Sequence, residues 1–248
     1  HPDRIDTLFL DGPVDLTLDG ASFYAEAARA FDDVLIATLN ACAADDVCAT
    51  DHEGATPLAT YDALAARLAD GPITFDYPMP DGTIQSRTFA LTDLDNAAVS
   101  YLYSPFDRWL LQRALASAVD DNLVPLARLA YEGVGIDPDT LEAEPDPDYS
   151  DALYYAVECQ DYVYNGGVPD GDARLAAFLQ TGRVLGVDRM RLGGVYHGDL
   201  PCIYWPNDPP ADPRPAPIVD APYQTIILGA TGDPITPLAN VTRLANRL

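Results

Sequence analysis

Few residues of this sequence have both the type and the setting for covalent or acid–base chemistry, and an aspartate stands first among them. In YQTIILGATGDPITP an apolar strand runs directly into a Gly-rich turn that holds Asp233. Gly232 and Pro234 sharpen that turn, and open α/β sheets place their ligands at such strand C-terminal ends. Gly-Asp-Pro is also an ordinary turn sequence, which is the plainer reading of the tripeptide alone. His52 follows a small cysteine loop, and His197 sits in the glycine-rich GGVYHGDL; both read as loop or surface histidines. No GxSxG occurs, the elbow on which a strand-to-helix turn presents a nucleophilic serine, and no histidine follows Asp233. A carboxylate can orient an imidazole and stabilise its cation, but the attack itself needs a serine and a histidine. Asp233 is therefore a candidate for one part of a triad whose other parts the chain lacks.

The cysteines Cys42, Cys48, Cys159 and Cys202 form an even set, with no CxxC pair and no histidine at zinc-ligand spacing. Disulfides are favoured over a metal site, and neither metal nor another cofactor is expected. Cys42 and Cys48 bracket AADDV, a closure suited to a helix end meeting a turn, and Cys159 is paired with Cys202 by elimination. Two disulfides imply an oxidising compartment, so a secreted, cell-surface or periplasmic location is expected, with any signal peptide upstream of His1. The competing reading is four buried free thiols in a cytosolic protein.

These residues sit in a chain of 248, of which 48% are hydrophobic, enough to bury a substantial core. The 14 basic residues, all arginine, against 39 acidic ones leave a net charge of −25. Such a surface repels phosphate backbones and anionic lipid, which argues against nucleic acid as a partner. A solubilising surface explains the acidity more simply than a site for cationic substrates. No apolar run is long enough for a transmembrane helix.

The elements that would position these groups can be read in order. IDTLFLDG is a buried strand stopped by a turn, with HPDR before it as a frayed helix end. Phe23, Ala27, Phe31, Val34, Leu35 and Leu39 recur at helical spacing between Leu18 and Ala44. A second helix runs through TPLATYDALAARLADGP, with Thr56 as N-cap, Pro57 in the first turn and Gly71 at its stop. ITFDYP and IQSRTFALT form a small hairpin about Pro80, Asp81 and Gly82. LDNAAVSYLYS and the helical PFDRWLLQRALASAVDDNLVPLARLAYE follow, then an acidic, proline-rich loop. SDALYYAVECQDY is open between helix and buried strand, and DARLAAFLQTGRVLGVDRMR is an amphipathic helix. Residues 207–222 are a proline-dense connector into the Asp233 strand, and LANVTRLANRL closes the chain as a short helix. A long, mainly helical insertion between two core strands has the shape of a cap domain.

Taken together, these motifs resemble α/β-hydrolases. His1–Asp15 is similar to the end of the helix behind the nucleophile and the strand after it, and IILGATGDPITPLANVTRLA to the strand and loop of the triad acid. CAADDVC, LYSPFDRWLLQRAL, YAVECQD and CIYWP resemble the cap of tripeptidyl-aminopeptidase-like serine peptidases, relatives of the prolyl aminopeptidases. The resemblance covers nearly the whole chain and lies in the order and spacing of motifs that are individually weak. It implies that Asp233 is the triad acid, that the serine precedes His1 and that the histidine follows Leu248. It also implies that acidic cap residues bind the substrate's α-ammonium, with Glu158 and Asp161 as candidates and Asp161 favoured by its place after the cysteine. Solvated acids are the plainer reading of that pair, and core packing that of Trp109, Trp205, Tyr154, Tyr155 and Tyr204, which could otherwise line a substrate pocket.

The expected architecture is a partial α/β-hydrolase fold, with core segments at 1–17 and 221–248 and a large helical cap at 18–220. The expected function is part of an exported serine aminopeptidase that releases short peptides from free N termini, inactive alone and completed by a missing N-terminal segment or a complementary chain. An exported esterase on the same fold is the first alternative. A non-catalytic binding module derived from the cap is the second.

Overall fold

The computed structural model describes residues 4–162, 168, 170–205 and 223–248. Most of the expected frayed helix end, residues 1–3, and the proline-rich connector at 207–222 lie outside the described residues.

Strand β1 (Thr7–Asp11) is the apolar opening run. It ends at Gly12, whose φ of 54° lies in the left-handed region that favours glycine. Helix α1 (Gly20–Ala43) buries Ala28, Phe31, Leu35 and Leu39 at helical spacing. A short helix α2 (Asp46–Thr50) follows almost at once, because the Asp45 carboxylate accepts the amides of Val47 and Cys48. The second half of the cysteine loop is thus helical. In α3 (Pro57–Ala69) the Thr56 hydroxyl accepts the Ala59 amide, with Pro57 opening the first turn. Strands β2 (Ile73–Pro78) and β3 (Ile84–Phe89) pair antiparallel, Ile73 opposite Phe89 and Pro78 opposite Ile84.

Helices α4 (Leu91–Tyr101), α5 (Pro105–Ser117) and α6 (Val124–Gly133) come next, α5 capped by Ser104. The ambiguous segment is helix α7 (Asp151–Asp161), started by Ser150, whose hydroxyl accepts the Leu153 amide. A serine cap and the exposure of Leu153 and Val157 suit a helix with one packed face better than a strand buried on both. Helix α8 (Gly171–Leu185) stops at Gly186 in the left-handed conformation, and α9 (Leu200–Ile203) carries Cys202. Strand β4 (Gln224–Leu228) and helix α10 (Leu238–Ala245) complete the chain.

Packing divides these elements into two compact units, residues 1–32 with 150–248 and residues 33–149. In the first, β1 and β4 pair in parallel, Thr7 opposite Gln224 through Asp11 opposite Leu228. Helix α10 packs on β4, while α7 and α8 pack on α9. A core of Ala28, Phe178, Tyr196 and Ile203 surrounds the disulfide between Cys159 and Cys202. In the second unit α4 lies against α6, α5 packs on α3, α4 and α6, and α6 also reaches β2. The α4–α6 contact is close because Gly133 faces the Ser100 side chain, leaving no room for a Cβ. The buried Tyr77 hydroxyl donates to the Pro138 carbonyl at 2.6 Å, which pins the acidic loop to the hairpin. Cys42 is bonded to Cys48 in this unit. The helix-rich chain with a small parallel sheet is compatible with a partial α/β-hydrolase fold.

Candidate active site

Asp233 stands in the turn after β4, beyond the C-terminal ends of both parallel strands. Its Oδ1 accepts the amides of Ile235 at 2.8 Å and Thr236 at 3.0 Å, and its Oδ2 accepts the Thr236 hydroxyl at 2.7 Å. Three donors within the next three residues hold the carboxylate in one orientation. The turn lies against the end of β1: the Gly12 amide donates to the Leu228 carbonyl at 3.1 Å. A Cβ on Gly12 would stand 2.8 Å from Thr236 Oγ1 and 4.0 Å from Asp233 Oδ2. Glycine is required there both for its φ and for the approach of the acid loop.

A buried ion network anchors the same end of the sheet. Asp15, four residues past β1, is fully buried and accepts Arg243 Nε at 2.6 Å and Arg247 Nη1 at 2.9 Å. Arg243 also binds Glu26 of α1 in bidentate fashion, at 2.9 and 2.5 Å, and the buried Asn240 at 2.6 Å. Burial alone would push the Asp15 carboxyl up, but hydrogen bonds from Arg247, Thr17 and Arg243 outweigh it and hold the group well below the usual carboxylate range. The network joins β1's exit, α1 and α10, the helix that follows the Asp233 turn.

A second carboxylate site lies beside the Cys159–Cys202 disulfide. The half-buried Glu158 accepts the Tyr24 hydroxyl at 3.2 Å, Tyr24 and Tyr154 share a hydroxyl contact at 3.1 Å, and Tyr154 donates to Asp199 at 3.2 Å. Asp199 is buried and close enough to Glu158 to share a hydrogen bond. Burial first, and then the Asp199 charge, push Glu158 up to about 7. The arrangement is a pair of carboxylates lined by phenols. Asp161 is exposed at the end of α7 and adds its charge from outside. Asp199 was not singled out from the sequence, although a signal existed: it lies three residues before Cys202, as Glu158 lies one before Cys159, so the disulfide draws both acids together.

The TAP-like protein family matches residues 193–248, the stretch holding Asp199, Cys202, β4, Asp233 and α10. Over 261 aligned positions covering the whole chain, the sequence is 26% identical to the serine protease Hip1 of Mycobacterium bovis and of Mycobacterium tuberculosis. Both similarities support an α/β-hydrolase of the tripeptidyl-aminopeptidase-like family. It spans 46% of the length of those relatives.

In a serine hydrolase family the two carboxylate sites have different meanings. The Asp233 turn occupies the strand-end position from which an acid can orient a histidine. The Glu158–Asp199 pair can receive a cation but has no nucleophile. The aromatic residues divide: Tyr154 joins the carboxylate pair, whereas Trp109 stands exposed on α5. His197 packs edge-on to Tyr196, and His52 lies in the unit of residues 33–149. Among the described residues no group of three or more His, Cys, Asp or Glu could hold a metal, and no helix is long and apolar enough to cross a membrane.

Proposed function

We propose that this chain is the acid-bearing part of an exported serine peptidase that releases short peptides from free N termini. Asp233 orients the catalytic histidine and stabilises its cation. In this reading the serine and the histidine come from polypeptide outside these 248 residues. On the same reading residues 18–220 are the cap domain and 1–17 and 221–248 the core segments. Within it Glu158 and Asp199 receive the substrate's α-ammonium, with Asp161 adding negative charge. Pairing that ammonium with partly desolvated carboxylates fixes the peptide end at a set distance from the serine, which limits the length released.

The observation that carries this reading is the Asp233 carboxylate held by three local donors at the C-terminal end of a parallel strand pair, against Gly12. The sheet face supports it further. Phe9 is 57% exposed and stands opposite Ile226, itself 42% exposed, although parallel sheets are normally covered on both faces. That exposure is what a sheet continued by further core elements would leave, and two disulfides suit an oxidising, extracellular setting.

The test uses the complete gene product. Asp233→Asn is expected to lower kcat on a tripeptidyl arylamide about 10^3-fold or more with little change in KM, because the histidine loses its orienting carboxylate. Unchanged turnover would sink the assignment. The same enzyme is expected to prefer the free-amine peptide to its N-acetylated form and to a simple ester; the reverse preference would favour the esterase.

A further inference from the structure

The Cys42–Cys48 disulfide and His52 take no part in that reaction, yet their surroundings are those of a reactive sulfur. A cavity of about 420 Å³ lies over the bridge in the unit of residues 33–149. Cys42 and Cys48 line it together with Val47, Trp109, Gln112 and Arg113. Val47 and Trp109 are 74% and 71% exposed, so the approach is open, and Arg113 at its rim is ion-paired with Asp51.

The two sulfurs differ. Cys48 is half buried and its Sγ lies 3.9 Å from Gln112 Oε1, whereas Cys42 is buried against His52. The His52 ring is buried; Nδ1 is 3.0 Å from Thr60 Oγ1 and Nε2 is 3.9 Å from Cys42 Sγ. Thr60 directs its own proton to the Thr56 carbonyl, so it accepts Nδ1–H. That leaves Nε2 as the bare nitrogen facing Cys42. The other bridge offers no such access, since Cys159 and Cys202 are both inside the core of their unit.

We propose that Cys42–Cys48 is a thiol–disulfide exchange site for low-molecular-weight thiols, with the cavity admitting the thiol to Cys48 and His52 managing the proton on Cys42. In the forward step an incoming thiol ionises and its sulfur attacks Cys48 Sγ. The Sγ–Sγ bond breaks, and its electron pair leaves on Cys42 Sγ. Cys42 takes up the one proton the incoming thiol released, and its S–H donates to His52 Nε2. A second thiol attacks the outer sulfur of the mixed disulfide, freeing Cys48 as a thiol. Two thiols are thereby oxidised to one small disulfide, and the bridge gains two electrons and two protons. In the reverse direction Nε2 takes the Cys42 proton, and the resulting thiolate attacks Cys48 and expels the small thiol. Burial lowers the His52 pKa, opposed by the Asp51 charge, which keeps the ring neutral and able to accept.

The experiment treats the intact, disulfide-bonded chain with 2-mercaptoethanol under native conditions, quenches at intervals with iodoacetamide and maps the alkylated cysteines by mass spectrometry. Cys42 and Cys48 are expected to be labelled about tenfold or more faster than Cys159 and Cys202, with unchanged circular dichroism. Equal rates, or protection of Cys42–Cys48 until denaturant is added, would overturn the site. For His52, reclosure of the Cys48 mixed disulfide is expected to follow an ionisation below the free-thiol range in the native chain. His52→Gln should move that profile up to the thiol range and slow reclosure at neutral pH about tenfold. A native profile already in the thiol range would remove His52 from the mechanism, whether or not the variant folds.

Discussion

Asp233 and Glu158 show two ways of preparing a carboxylate. Asp233 receives two amides and a hydroxyl from its own turn, so its direction is set locally before any partner arrives. Glu158 is half buried facing Asp199, and burial and then that neighbour push its pKa up to about 7. If this pair receives the substrate ammonium, KM for a free-amine peptide should rise as pH falls through about 7, and Glu158→Gln should flatten that dependence. Steady-state kinetics across pH 5.5–8.5 on the complete protein, set against an N-acetylated substrate, would check it. The linkage sign gives a second readout. A carboxyl raised above its unfolded value of 4.5 contributes stability below that value, lost as pH rises through about 7. Glu158→Gln should therefore melt increasingly above the wild type as pH rises from about 4.5 to 7, with the difference levelling off above 7. The turn that holds Asp233 was legible in the sequence because glycine, proline and the apolar strand around it are neighbours. The partnership of Glu158 with Asp199 was not, because 41 positions separate them and only the Cys159–Cys202 bridge brings them together.

At the scale of elements, α10 shows what an isolated segment cannot do. Eight residues are too few for a stable free helix, so its packing on β4, Arg243 within it and Arg247 just beyond it must hold it. Arg243 and Arg247 converge on the buried Asp15, and Arg243 also clamps Glu26. Removing one partner leaves a buried charge short of compensation, so Arg243→Ala is expected to cost about 3 kcal/mol in urea unfolding. A loss below about 0.5 kcal/mol would mark the network as a surface-like pair. Because the Asp15 carboxyl is held below its ordinary range, this contribution is present above about pH 4 and is lost as pH falls below it. The start of α3 was legible because its cap is local: Thr56 bonds the amide three residues on. The SDALYYAVECQDY segment was not, since its apolar residues fit either period; the Ser150 cap and the exposure of Leu153 and Val157 mark it as a helix.

The molecule as a whole carries a net charge of −25 with no lysine to temper it. Self-repulsion of that size destabilises the compact state, and added salt screens it. Thermal melts at pH 7.5 should therefore rise by several degrees between about 10 mM and 500 mM sodium chloride. A falling Tm would mean that attractive surface pairs such as Arg67–Asp121 and Arg128–Asp139 outweigh the repulsion.

Sequence alone determined the features written within a few neighbouring residues. The capped helices, the hairpin, the two apolar strands, the acid turn at Asp233 and the even cysteine set all belong to that class. Tertiary structure decided what closes over long separations: β1 beside β4 in parallel register, Asp15 beneath Arg243 and Arg247, and Asp199 against Glu158. The physical reason is that caps and turns draw their energy from bonds inside one short window. A strand pair or buried ion network instead gains its energy only after the chain has closed a long loop, and no local pattern records which distant partner repays that entropy.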